Sequence, residues 1–106
     1  MASHLELDLL QQIKLCKIKE PIVEYKFSQS RRWRVDMVWL DEKLAVEVEG
    51  AIWVKGRHIR PKGFLADCEK YNELALKGFR LIRVCREHIK NGMAIDWIER
   101  GLNRDS

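Results

Sequence analysis

The sequence predicts an α/β domain: a small mixed sheet, made of an antiparallel hairpin and a parallel crossover strand, flanked by helices. Three observations predict it. "WRVDMVWL" (33–40) and "LAVEVEG" (44–50) are two strand-like runs on either side of the turn "DEK" (41–43), the pattern of a hairpin. "FLADCEKYNELALKG" (64–78) reads as a helix and runs directly into the strand-like "FRLIRV" (79–84). A strand reached through a helix is expected to lie parallel to its neighbour, by a right-handed crossover. The chain has 106 residues, 46% hydrophobic and 34% charged, which suits one folded domain around one core.

The elements follow in order. Leu5, Leu9, Leu10 and Ile13 recur at helical spacing and predict a helix over 4–16. Ser3 stands at its N-cap, and Glu6, three residues on, would complete a capping box. Pro21 closes the connection to "IVEYKF" (22–27), whose β-branched and aromatic residues predict a strand. In 33–40, Trp33, Val35, Met37 and Trp39 alternate onto one face, with Arg34, Asp36 and Val38 on the other. Residues 51–63, "AIWVKGRHIRPKG", hold two glycines, one proline and four cations besides His58, and read as a basic loop. In 64–78 the expected apolar stripe is Phe64, Cys68, Tyr71 and Ala75, and Gly78 sits where a C-cap glycine belongs. "GMAIDWIERGL" (92–102) predicts a closing helix with Ala94, Ile98 and Leu102 spaced by four. The predicted order is α-β-β-β-α-β-α, with Trp33, Trp39 and Trp97 in the core.

Composition excludes several classes. No apolar run is long enough to span a bilayer, so no membrane partner is expected. The first residues carry acids and lack a basic segment followed by an apolar one, so no signal peptide is expected and a cytoplasmic location is. Cys16, Cys68 and Cys85 are odd in number and far apart, with no C-x-x-C pair. That argues against a disulfide framework or a structural zinc site and for buried free thiols. The net charge of +4 suits a polyanion, and the cations concentrate at 31–34, 55–62 and 80–86.

The acids fall between these clusters. Glu47 and Glu49 occupy one face of "VEVEG", with Val46 and Val48 directed at the core. If the hairpin turns at 41–43, Asp36 lies opposite the 47–49 region. Three carboxylates on one face repel one another, and a shared divalent cation relieves that repulsion. Hard oxygen donors select Mg²⁺ or Mn²⁺ over zinc. Such a cation beside a basic surface is suited to phosphodiester hydrolysis. The competing reading is a solvated sheet face of plain surface charge, and composition leaves both open.

The segments "PIVEYKF", "RRWRVDMVW", "LAVEVEG" and "GRHIRPKGFLADCEKYNELALKGFRLIRV" resemble the PD-(D/E)xK nuclease superfamily, restriction-endonuclease-like in fold. Within it they are most similar to small phage- and prophage-borne endonucleases of the very-short-patch-repair type. The resemblance covers roughly residues 5–90 and rests on the acidic core with the neighbouring G-R-H-x-R and D-x-E-K-x-N segments. It implies that Asp36 and Glu47 hold the metal, with the Val48 carbonyl as a third donor. Glu49 stands where the motif has its lysine, so a cation must come from elsewhere. Lys70 on the following helix, or His58 as a titratable group in the basic loop, could take that part. Arg57, Arg60 and Lys62 are expected to contact phosphates, while Glu6 and Glu24 are candidate extra acids.

The expected function is thus a Mg²⁺-dependent DNA endonuclease, acting in a bacterial cell if the gene is carried by a phage or prophage. A catalytically weak nucleic-acid-binding module of the same fold is the alternative, because the motif lysine is missing. A branched DNA substrate would imply a homodimer; the sequence leaves substrate structure, DNA against RNA, and oligomeric state open.

Overall fold

The strand-like runs pair as their sequences require. The computed structural model describes residues 3–50 and 61–103, with backbone alone at 61 and 62. β1 (Ile22–Lys26), β2 (Arg34–Trp39) and β3 (Leu44–Val48) pair antiparallel, and β4 (Arg80–Val84) joins β3 in parallel. The spatial order is β1-β2-β3-β4. The helices are α1 (His4–Leu15), α2 (Pro61–Leu76), α3 (Arg86–Asn91) and α4 (Met93–Leu102). The α/β class, the hairpin and the parallel crossover are those the sequence predicts.

Two hydrophobic clusters sandwich the sheet. On one face Leu9 and Ile13 of α1, Ile89 of α3, and Ala94 and Ile98 of α4 pack on Met37, Trp39, Leu44, Val46 and Val84. On the other, Leu74 of α2 and Phe79 pack with Phe27, Val35, Val38 and Ala45. Val46 and Val48 thus face the first cluster, as expected. The alternation predicted for β2 does not hold throughout. Met37 and Trp39 share one face, but Val35 and Trp33 belong with Val38 on the other. The phase changes around Asp36, where β2 parts from β3.

Helix ends differ from expectation for identifiable reasons. α2 begins at Pro61 rather than 64, and proline suits a first helical turn because its missing N–H would have no partner there. Phe64 and Ala75 are exposed; Leu74 is buried, and Cys68, Lys70 and Tyr71 are half-buried, so the helix meets the sheet through its C-terminal half. It ends in a Schellman turn. Gly78 takes φ +90°, its N–H bonds Ala75 O (2.9 Å), and the Phe79 N–H bonds Leu74 O (3.3 Å).

α3 is absent from the predicted order of elements. It has 6 residues, too short for a periodic pattern, and Gly92 at φ +87° separates it from α4. The cysteines are free but not buried: Cys16 is exposed beyond the last buried residue of α1, and Cys68 and Cys85 are half-buried. Trp39 is buried, its indole N–H bonding Lys19 O (2.8 Å), whereas Trp33 and Trp97 are half-buried. Among the described residues, no helix is long and apolar enough to cross a membrane.

Candidate active site

The site forms where the β2–β3 ladder stops. Pairing runs Trp39↔Leu44, Val38↔Ala45 and Met37↔Val46. The next step would place Asp36 against Glu47. Instead Asp36 Oδ2 accepts the Val48 N–H at 2.7 Å, so a side chain takes the bond a strand carbonyl would otherwise receive. β3 continues along β4: Glu47↔Arg83 and Val48↔Val84 remain paired, and the Glu49 N–H bonds Val84 O at 2.7 Å. Asp36 therefore sits in the fork between the two strands. It is the Val48 amide that meets it.

Glu47 lies on the α2 side of the fork, 8% exposed. Lys70 reaches it from α2, with Nζ 3.3 Å from Oε1. Burial, then the charge of Asp36, pushes the Glu47 carboxyl up to about 7, against the downward pull of Lys70. Glu49 is matched with a different cation, Arg83 Nη2 at 2.9 Å, and that hydrogen bond raises the guanidinium further. Tyr71 underlies both pairs. The Arg83 guanidinium is 4.9 Å from its ring centroid and Lys70 Nζ is 5.5 Å away. Burial and the nearby Glu47 and Glu49 hold the Tyr71 hydroxyl above its ordinary range.

The tightest gathering of carboxylates lies on the other side of Asp36. One oxygen each from Glu6, Glu24 and Asp36 lie within 4.8 Å of one another. α1 delivers Glu6 through the stripe that seats Leu9 and Ile13, and leaves it 2% exposed. Its Oε2 has no hydrogen-bond partner among the described residues. Burial first, then a hydrogen bond with Glu24 and the charges of Asp36 and Glu24, push the Glu6 carboxyl up to about 8; the Ser3 backbone amide works the other way. Ser3 Oγ accepts the Glu6 N–H at 3.1 Å, so Glu6 serves the helix cap and the cluster together. Burial also raises Asp36, offset in part by the Val48 N–H.

Glu24 belongs to the cluster through an unusual backbone. It stands in β1 with φ +52°, between Val23↔Met37 and Tyr25↔Val35 in the register. A non-glycine residue held there costs about 1 kcal/mol or more, and such strain concentrates at functional sites. The sequence signal for Glu24 is a carboxylate inside a five-residue β-branched and aromatic strand that counts into register with Asp36. For Glu6, the capping box obscured a second role. Burial of Glu6 and Glu47 disfavours the solvated-face reading of these acids. Trp53, Arg57, His58 and Arg60 lie outside the described residues, as does the side chain of Lys62.

No family model matches the chain, and no curated protein matches it. Among solved structures it is similar to the "Homing Endonuclease I-Bth0305I Catalytic Domain", with a TM-score of 0.68 over 99% of this chain and 100% of that one. Identity is 20%, so the likeness is one of fold: this chain shares the architecture of that domain.

Proposed function

We propose that the protein is a metal-dependent DNA endonuclease of the PD-(D/E)xK type. The observation that carries this reading is the fork itself: Asp36 at the parting of two strands, Glu47 on the next strand, and Lys70 brought to 3.3 Å of Glu47. An acid pair with an ammonium alongside suits phosphodiester hydrolysis, the acids to hold a cation and the ammonium to meet developing charge. The fold shared with a homing endonuclease catalytic domain supports it.

The donors fit a hard divalent cation, Mg²⁺ or Mn²⁺. They are all carboxylate oxygens, and Glu6 Oε2 is buried with no hydrogen-bond partner among the described residues. Asp36 would hold the ion with Glu47 on one side or with Glu6 and Glu24 on the other. When bound, the ion would polarise the scissile phosphate and lower the pKa of the attacking water. Glu47 would accept a hydrogen bond from that water. Lys70 would place its ammonium against a phosphoryl oxygen as negative charge grows there. Glu49, held by Arg83, would orient the nucleophile, and His58 would protonate the leaving oxygen or take the proton of the water.

A second reading is a binding module that does not cut. It is favoured by Glu49 occupying the place of the motif lysine and being committed to Arg83. Labelled duplex, nicked, branched and single-stranded DNA, each with Mg²⁺ or Mn²⁺, separates the two. Cutting that disappears in Asp36→Ala and Glu47→Ala supports the enzyme; binding without cutting in either metal supports the module. A branched preference would carry with it a homodimer, measurable by sedimentation.

A further inference from the structure

The cations of the β1–β2 connection take no part in the fork. β1 and β2 end in the pair Lys26↔Arg34, two cations directly across an antiparallel ladder. Like charges in that position destabilise a sheet. Arg32 adds a third positive charge in the connection between these strand ends, and all three side chains are exposed. Among the described residues none of the three has an ion-pair partner, in contrast to Lys70, Arg83 and Arg31.

The connection that carries them is built, not loose. Phe27 and Trp33 stack across its base, with centroids 6.1 Å apart at 19°. The Ser28 hydroxyl accepts the Arg31 N–H at 3.1 Å. Arg31 lies over the Trp33 ring, 4.6 Å from its centroid, and ties the connection to Glu69 of α2 at 3.4 Å. Arg31 is thus an anchor. Its neighbours are left facing solvent from a fixed backbone, so ordering them on a ligand costs less entropy than ordering a free loop.

Position supplies the ligand. Arg34 is two residues from Asp36 on β2, and Lys26 is two residues from Glu24 on β1. A polyanion that enters the acidic fork passes this pair. Phosphates beside Lys26 and Arg34 would also relieve their mutual repulsion. We propose that Lys26, Arg32 and Arg34 form a phosphate-binding platform that holds the DNA backbone as it enters the fork. This rests on the nuclease reading given above.

The test is the salt dependence of binding to a fluorescent DNA duplex in EDTA, for wild type and for K26Q/R32Q/R34Q. Each lost phosphate contact removes about 0.9 from the slope of log K against log salt. The triple variant should lose a slope of roughly 2 to 3. K26R/R32K/R34K should keep the wild-type slope, as should K14Q/K77Q, whose exposed lysines lie in the last turn of α1 and just beyond α2. Lys26→Glu separates a structural role from binding: it creates an attractive pair with Arg34, so Tm should rise while DNA affinity falls. An unchanged slope in the folded triple variant overturns the platform while leaving the nuclease reading intact. Wild-type protein that neither binds nor cuts DNA overturns both.

Discussion

Lys70 and Glu47 meet in one short contact, through which the ammonium holds the carboxyl's pKa down. The carboxyl is already lifted to about 7 by burial and by Asp36, and the ammonium is what restrains it. Lys70→Met should raise the Glu47 pKa further, observable in carboxyl carbon NMR titrations; an unchanged or lower value would show that Lys70 does not act on Glu47. If Lys70 supports charge on the phosphate, the same variant should also lose cleavage by about 100-fold, the usual cost of one transition-state donor. Lys77→Gln, one residue beyond the end of α2, should retain the wild-type rate. Glu24 makes the opposite trade. Replacing it by glycine frees a backbone held at φ +52° and should stabilise the fold by about 1 kcal/mol. It should also weaken divalent-metal binding, read by calorimetry; unaltered metal affinity would remove Glu24 from the proposed donor set.

At the scale of elements, α2 matters because it carries Lys70, and its end is fixed by Gly78. A Cβ there would meet nothing within 4 Å, so the cost of Gly78→Ala is backbone strain alone. About 1 to 2 kcal/mol is expected, and a loss of 1 kcal/mol lowers Tm by roughly 4–8 °C in a domain near this size; an unaltered Tm would mean that the turn is not strained. This turn was legible in the sequence, as were the hairpin and the parallel strand, because each depends on local chemistry: a C-cap glycine, alternation either side of a turn, a helix between strands. The face change in β2 was not legible, since it falls at Asp36, where the strands part, and no alternation in the sequence marks that point. Nor was α3, whose 6 residues are fixed by packing of Ile89 and not by periodicity. The candidate site was legible in part. Asp36, Glu47 and Lys70 could be picked out, but the approach of Glu6 and Glu24 to Asp36 depends on how α1 and β1 pack against β2, which no spacing encodes.

Across the whole molecule, two carboxyls that titrate high make stability depend on pH. Glu6 and Glu47 keep their protons in the folded chain, to about 8 and about 7, where the unfolded chain has already released them near 4.5. The stability this contributes is complete below about 4.5 and is lost as pH rises through 7 to 8. In EDTA the Tm should therefore fall from pH 5 to pH 9, and Glu6→Gln should flatten the upper part of that fall. A flat wild-type profile would mean that the acids are less confined than their burial implies. Mg²⁺ or Mn²⁺ should offset the fall, more so at higher pH, because the donors must be deprotonated to bind. The central claim is that the fork cuts DNA with the help of a divalent ion. It is tested most directly by single-turnover cleavage of end-labelled DNA in Mg²⁺, comparing wild type with Asp36→Asn, both verified as folded by their Tm. The account predicts cutting by wild type, none in EDTA, and a rate reduced by at least about 100-fold in the variant. Equal rates in the two proteins, or cutting that persists in EDTA, would contradict it.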